Sequence, residues 1–177
     1  MRNLEVEIRS FLDEEKYKEL DSFFKENAQF LGEEDQETIY LTGEKDLRIQ
    51  RSDSHSKIWL KEGNMHDKER KEVELPLKKE DYEKAKELFF SLGYETEIMW
   101  KRKRKKFKWE DIDVSLDHTK GYGCIIELER TVSEKEGEGE YERLKEKLEG
   151  LGVEITPKEE FQKRFQYYKE NWKELLC

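Results

Sequence analysis

Cysteine, histidine and long apolar runs are scarce in this chain. Its two cysteines, Cys124 and Cys177, form no C-x-x-C pair and are too few for a disulfide framework. The histidines lack the spacing of metal ligands, so we expect His55, His66 and His118 to lie in loops or at a rim. No apolar run of about 18 residues and no N-terminal signal segment occurs, which predicts a cytoplasmic protein that does not enter a membrane.

Apolar residues are also few beside the charged ones, at 34% against 45%. That balance favours disorder when apolar residues are scattered, but here 4 Trp, 8 Tyr and 9 Phe fall at strand or helix spacing. We therefore expect one packed domain of 177 residues. The net charge of −9 argues against binding to nucleic acids or to anionic membranes.

Glutamates alternate with aliphatic residues in three stretches of the chain. The stretches are Glu5-Val6-Glu7-Ile8-Arg9, Glu72-Val73-Glu74-Leu75 and Ile126-Glu127-Leu128-Glu129. A period of two predicts β-strands, each with one apolar face and one acidic face. If the apolar faces pack against helices, the acidic faces point into a shared interior, called the lumen below. Buried carboxylates are costly, so the lumen must be wet, paired with cations, or loaded with metal and ligand.

Hydrophobic spacing and turn signals predict eight strands and four helices. The predicted strands are residues 4–10, 37–42, 47–51, 57–62, 70–77, 97–107, 112–117 and 124–130. The predicted helices are residues 13–27, 79–92, 141–151 and 157–176, with a flexible connection over 133–140. This order predicts an α+β fold, an eight-stranded antiparallel β-barrel with flanking helices. We expect a single domain over residues 1–177, with the helices of 141–176 packing on the barrel or capping it.

The same alternation predicts which charged side chains face the lumen. The expected cations are Arg9, Arg48, Lys61, Arg70, Arg102 and Arg104, and the expected carboxylates are Glu5, Glu7, Glu72, Glu74, Asp117, Glu127 and Glu129. Guanidinium and ammonium groups match phosphate oxygens, and convergent carboxylates match hard cations such as Mg2+ or Mn2+. A polyphosphate with its metal ions satisfies both sets.

Two other interpretations compete with this one. Strands with charged alternate positions are commonly the solvent-facing side of a sheet. The basic run from Trp100 to Trp109 is also typical of a nuclear signal or a nucleic-acid patch. Alternation splits that run between two faces, with Arg102 and Arg104 on one of them. It also places Cys124 on an apolar face, where we expect it in the core.

Glu5-x-Glu7-x-Arg9 resembles the ExExK signature of the CYTH superfamily, also called triphosphate tunnel metalloenzymes. The resemblance continues in order through about residue 130. It is carried by Leu47-Arg48-Ile49, Ile58-Trp59-Leu60-Lys61-Glu62-Gly63, Arg70-x-Glu72-x-Glu74, Arg102-x-Arg104-x-x-Phe107, Val114-x-Leu116-Asp117 and Gly121-Tyr122-Gly123-x-x-x-Glu127-x-Glu129. Each motif alone is weak evidence for the family, but the order and spacing of all of them together are specific.

The resemblance implies a tunnel of eight antiparallel strands that binds a triphosphate end-on. It implies phosphate binding by the six expected cations and binding of Mg2+ or Mn2+ by Glu5, Glu7, Asp117, Glu127 and Glu129. The residues we expect to act in catalysis are Arg9, Lys61, Glu127 and Glu129. Two positions depart from the family pattern, because Arg9 stands where the family has lysine and Gln50 where many relatives have arginine.

The family resemblance implies three possible functions. The first is metal-dependent hydrolysis of a triphosphate such as tripolyphosphate, ATP or thiamine triphosphate. The second is a class IV-like adenylyl cyclase, which converts ATP to cyclic AMP and pyrophosphate. The third is a phosphate-binding module without catalysis. Nucleic acid and membrane partners are not expected, and a monomer and a homodimer are both compatible with the chain.

Overall fold

The computed structural model describes residues 3–62, 71–133 and 137–177, with side chains described for 5–61, 73–133, 137 and 139–177. Its elements are β1 (Asn3–Leu12), α1 (Glu14–Asn27), β2 (Gln29–Leu41), β3 (Asp46–Arg51), β4 (Ser56–Glu62), β5 (Lys71–Leu77), a 3-10 turn (Lys79–Asp81), α2 (Tyr82–Ser91), β6 (Thr96–Trp109), β7 (Ile112–Thr119), β8 (Gly123–Ser133), α3 (Gly137–Gly150) and α4 (Lys158–Leu175).

All eight strands belong to one sheet in the order β1-β8-β7-β6-β2-β3-β4-β5. The pairs β1–β8, β7–β8, β2–β3, β3–β4 and β4–β5 are antiparallel. Over the described residues, the hydrogen-bonded order starts at β1 and ends at β5. The predicted α+β class, with eight antiparallel strands and flanking helices, is confirmed.

Two predicted boundaries are wrong by four residues or more. Strand β2 begins at Gln29, eight residues before the predicted start, because the polar and glycine-containing stretch 29–36 shows no clear alternation. Helix α3 begins at Gly137, inside the segment expected to be a flexible connection. Its first turn carries Glu140, which is buried and accepts hydrogen bonds from Arg130 (2.7 Å) and Arg143 (3.0 Å). The contact from Arg130 on β8 and the local pair with Arg143 outweigh the low helix propensity of the glycines.

Helix α1 begins where the sequence predicts. The Asp13 side chain caps it by accepting a 2.7 Å hydrogen bond from the Lys16 backbone N–H. Its apolar stripe buries Tyr17, Leu20 and Phe24.

The chain divides into two compact units. The first contains Met1–Glu33 and Arg104–Gln162, and the second contains Glu34–Lys103 and Lys163–Cys177. The core of the first unit joins strands β1, β7 and β8 to helices α1 and α3. It contains Ile8, Tyr17, Leu20, Phe24, Phe107, Ile112, Val114, Leu116, Cys124, Ile126, Leu128, Leu144, Leu148 and Val153. Cys124 therefore lies in the core, as expected.

The second unit has a smaller core beneath helix α2. It contains Ile39, Leu41, Ile49, Tyr82 and Ala85. Helix α4 contributes Tyr168 and Trp172, whose side chains donate hydrogen bonds to backbone carbonyls of Met99 (2.8 Å) and Glu97 (2.9 Å) in β6.

Among the helices that the structure describes, none is long and apolar enough to cross a membrane.

Candidate active site

Strands β1, β8 and β7 of the first unit share a face that is densely charged. Glu129 on β8 lies directly opposite Glu7 on β1 and opposite Asp113 on β7. Glu127 lies opposite Arg9 on β1. Because residues paired across antiparallel strands point to the same side of the sheet, these five side chains share one face. We call it the charged face.

The other side of the same strands is apolar. Ile8, Leu128 and Val114 are cross-strand neighbours and are at most 4% exposed. A register shift by one residue would turn the carboxylates into this core, so its packing holds the charged face in register.

Three carboxylates of the charged face form a cluster. Oxygens of Glu7, Glu127 and Glu129 all lie within 4.8 Å of one another. Burial, together with the charges of Glu127, Glu5, Glu7 and Asp113, raises the pKa of Glu129 from 4.5 to about 7. A divalent cation would relieve that repulsion, and oxygen donors at this spacing fit Mg2+ or Mn2+. We call these three residues the carboxylate cluster.

Arg104 joins the carboxylate cluster to Asp117. Its Nε and Nη2 donate hydrogen bonds of 2.7 Å each to the two Asp117 carboxylate oxygens, and Nη2 lies 3.6 Å from Glu127 Oε1. Burial disfavours the guanidinium charge, but the carboxylates of Asp117, Glu127 and Glu129 outweigh it and raise the pKa of Arg104. Asp117 was predicted as a metal ligand, and here both of its oxygens accept from Arg104.

Arg9 also lies on the charged face. It is partly exposed, and its guanidinium carbon is 4.9 Å from the centre of the Phe161 ring. The ring packs against the guanidinium and restricts its orientation. Sequence reasoning assigned no site role to Phe161, because its helical spacing indicates packing.

In the second unit, Arg48 lies between a carboxylate and two aromatic rings. Its Nε and Nη2 donate to the two oxygens of Asp46, each at 2.6 Å. The guanidinium carbon is 4.2 Å from the Tyr40 ring centre and 5.5 Å from that of Trp59. The sequence did not predict Asp46 and Tyr40 as site residues, because neither belongs to an alternating charged stretch.

Two further polar pairs in this unit involve predicted positions. Arg102 donates to Gln36 Oε1 from Nε (3.1 Å) and Nη2 (2.6 Å). Gln50, the position that departs from the family pattern, donates to Thr38 Oγ1 at 2.9 Å. Gln36 was missed because it lies in the part of β2 that the sequence did not predict.

Strands β4 and β5 carry Lys61, Glu72 and Glu74 of the predicted site residues. Lys61 lies opposite Asp46 on β3 and opposite Glu72 on β5. Glu74 accepts a 2.8 Å hydrogen bond from Lys57. Arg70 lies outside the described residues, as does the side chain of Glu72.

The predicted residues with described side chains divide between the two units. The first unit holds Glu5, Glu7, Arg9, Arg104, Asp117, Glu127 and Glu129, and the second holds Arg48, Lys61, Glu74 and Arg102. That all of them face one lumen stays a prediction.

Comparison with known proteins gives a consistent match. The model of the CYTH domain family matches residues 3–160. A protein of Methanocaldococcus jannaschii named "Putative adenylate cyclase" is 29% identical over 159 residues, which cover 85% of this chain and 90% of that protein.

Solved structures also match. A conserved hypothetical protein from Pyrococcus furiosus is 28% identical with a TM-score of 0.69, covering 85% of this chain and 91% of that one. A protein from Pyrococcus horikoshii OT3 is 25% identical with a TM-score of 0.70, covering 88% and 96%.

Proposed function

Because the chain belongs to the CYTH domain family, we propose that it is a divalent-metal-dependent hydrolase of an inorganic or organic triphosphate. The observation that carries this proposal is the carboxylate cluster with Arg9 and Arg104 beside it on one face. Clustered carboxylates suit a cation, and adjacent guanidinium groups suit the phosphate oxygens that the cation accompanies.

Glu7, Glu127 and Glu129 are the residues that would hold Mg2+ or Mn2+. When bound, the ion neutralises phosphate charge and makes a bound water a better nucleophile. The Glu129 carboxyl, with its pKa raised to about 7, retains its proton through mildly acidic pH and releases it near neutrality. Loss of that proton from the carboxyl oxygen adds a negative charge to the carboxylate cluster, which favours the binding of a cation.

Arg9 and Arg104 bind the phosphate chain in this proposal. Guanidinium groups suit phosphate oxygens, and Arg104 is held in place by the hydrogen bonds that its Nε and Nη2 donate to Asp117. We assign phosphate binding also to Arg48, Lys61 and Arg102 of the second unit and to Arg70. The aromatic rings and carboxylate around Arg48 restrict its guanidinium to one orientation.

A product assay tests the proposal. The purified chain is incubated with tripolyphosphate, ATP or thiamine triphosphate in Mg2+ or Mn2+, and phosphate, pyrophosphate and cyclic AMP are measured. We expect phosphate release that stops on chelation and in Glu127→Gln, whereas the exposed Glu154→Gln variant on the same unit retains activity. Activity that survives thorough chelation would contradict the metal-dependent mechanism.

A second candidate is adenylyl cyclase, and the name of the M. jannaschii relative favours it. In that reaction the ribose 3′-hydroxyl attacks the α-phosphorus of ATP and pyrophosphate leaves. Cyclic AMP and pyrophosphate in equal amounts from ATP would support the cyclase over the hydrolase. Tight binding of triphosphates without any product would indicate a binding module instead.

A further inference from the structure

A second group of metal-ligating side chains lies on the apolar side of the β7–β8 pair. His118 and Cys124 are direct cross-strand partners, and Glu14 comes from the first turn of α1. Glu14 Oε1 lies 3.2 Å from His118 Nε2 and 3.5 Å from Cys124 Sγ. All three donor atoms lie within 4.8 Å of one another. We call this group the Glu-His-Cys group.

The Glu-His-Cys group is separate from the carboxylate cluster. Cys124 has the parity of Ile126 and Leu128 along β8, and these residues belong to the core. Glu127 and Glu129 alternate with them and point to the charged face. A ligand of the Glu-His-Cys group would thus approach from the side of α1.

The two distances from Glu14 match those of a tetrahedral zinc site. With Zn–O and Zn–N bonds of about 2.0 Å and a Zn–S bond of about 2.3 Å, tetrahedral angles place the oxygen about 3.3 Å from the nitrogen and about 3.5 Å from the sulfur. The observed separations are 3.2 Å and 3.5 Å. One ion can therefore contact the Glu14 oxygen together with either partner, and the His118–Cys124 separation, which is within 4.8 Å, can close by rotation of the exposed His118 side chain.

We propose that Glu14, His118 and Cys124 bind a Zn2+ ion. The donor set selects the metal, because a thiolate and an imidazole suit Zn2+ while Mg2+ prefers oxygen ligands. On binding, the Sγ–H bond breaks, the proton passes to solvent and an Sγ–Zn bond forms. The thiolate and the Glu14 carboxylate balance the two charges of the ion, and His118 binds as the neutral imidazole.

The exposure of the ligands provides a route for the ion. Cys124 is 2% exposed, at the base, whereas the side chains of His118 and Glu14 are 46% and 65% exposed. An ion can enter between the two exposed side chains, and water can fill its fourth position. Once bound, it ties the start of α1 to the β7–β8 pair, all within the first unit. Zinc should therefore stabilise this unit.

Cobalt provides the test, since a thiolate bound to Co2+ gives a charge-transfer band in the near ultraviolet. The chain is used without a histidine tag and with excess Mg2+ to occupy the carboxylate cluster. We expect one equivalent of Co2+ to produce the band and Zn2+ to abolish it by displacement. Cys124→Ser should lose the band, while His118→Ala and Glu14→Gln should each weaken binding by about tenfold or more.

Matched controls come from the same chain. Cys177→Ser removes the exposed cysteine and His55→Ala removes an exposed histidine of the second unit, so both should bind Co2+ as the unaltered chain does. His118→Ala and Glu14→Gln alter exposed side chains, so they still test the site if Cys124→Ser fails to fold. The proposal is overturned if the unaltered chain shows no band. It is also overturned if His118→Ala and Glu14→Gln bind Co2+ as tightly as the unaltered chain does, because the Glu-His-Cys group would then be held together only by hydrogen bonds.

Discussion

On the charged face, Glu129 is a carboxyl group whose pKa differs clearly from that of a free carboxylic acid. Burial and the four neighbouring carboxylates Glu127, Glu5, Glu7 and Asp113 raise its pKa from 4.5 to about 7. The folded state therefore binds a proton more tightly than the unfolded state does. Its contribution to stability is fully present below pH 4.5 and is lost as the pH rises through about 7.

Glu129→Gln should remove this dependence. In the metal-free protein, the free energy of unfolding should fall between pH 4.5 and about 7 for the unaltered chain, relative to that of Glu129→Gln. Urea denaturation at a series of pH values measures the difference. The exposed Glu154→Gln variant is the control and should follow the unaltered chain. Parallel curves for the unaltered chain and Glu129→Gln would show that this carboxyl titrates normally.

Arg9 tests the phosphate-binding assignment at the level of one side chain. A charge-assisted hydrogen bond contributes about 1.5–3 kcal/mol, so Arg9→Ala should weaken triphosphate binding by about tenfold or more. Arg9→Lys restores the family residue and should bind with modest loss if the charge alone matters. Calorimetric titration in Mg2+ measures both, with the exposed Lys158→Ala variant as the control for net charge. Equal affinity in Arg9→Ala and the unaltered chain would remove Arg9 from the site.

At the scale of the elements, the sequence predicts strands best where two faces differ. Alternation over Glu5–Arg9 and Ile126–Glu129 predicts β1 and β8, and the structure pairs them in the register that puts Glu7 beside Glu129. The start of β2 could not be predicted, because residues 29–36 carry no such contrast. Helix α3 begins among glycines, whose local helix propensity is low. The contact that supports its first turn comes from Arg130 on another element, so local propensity could not predict it.

Glu140 gives a test of how the first turn of α3 is held. It is 7% exposed and pairs with Arg130 (2.7 Å) and Arg143 (3.0 Å). Glu140→Ala leaves both guanidinium groups with fewer partners and should lower the free energy of unfolding by about 1.5–3 kcal/mol. Its exposed neighbour is the matched control, since Glu142→Ala should change stability by less than about 0.5 kcal/mol. Equal losses in the two variants would assign the effect to the removal of any carboxylate from α3, not to the buried pairs, because alanine itself favours the helix.

At the scale of the whole molecule, the sequence predicts the fold class and the side of the sheet on which a residue lies, but not its partner. Asp117 was predicted on a polar face, yet its bidentate pairing with Arg104 on another strand depends on strand register. The Glu-His-Cys group was not predicted at all, since Glu14 and Cys124 are 110 residues apart. Spacing along the chain identifies metal ligands only when they share a local motif.

The charge of the whole molecule decides how a triphosphate can bind. A chain of net charge −9 with a carboxylate cluster repels a bare triphosphate, so the anion and Mg2+ should stabilise the fold together far more than either alone. At about a hundredfold excess over the dissociation constant, binding adds about 2.7 kcal/mol, or roughly 5–10 °C in the melting temperature of a domain of this size.

Thermal denaturation of the unaltered chain and of Glu127→Gln measures this coupling, with monophosphate plus Mg2+ as the control ligand. The unaltered chain should be stabilised by tripolyphosphate with Mg2+ and hardly at all by monophosphate. Glu127→Gln removes one carboxylate of the cluster, so its metal-free form should be at least as stable as the unaltered chain. The rise in its melting temperature on adding tripolyphosphate and Mg2+ should be smaller than that of the unaltered chain. A melting temperature indifferent to tripolyphosphate and Mg2+ would mean that the carboxylate cluster and its arginines do not form a triphosphate site. An equal gain in both proteins would leave phosphate binding intact and remove Glu127 from the metal ligands.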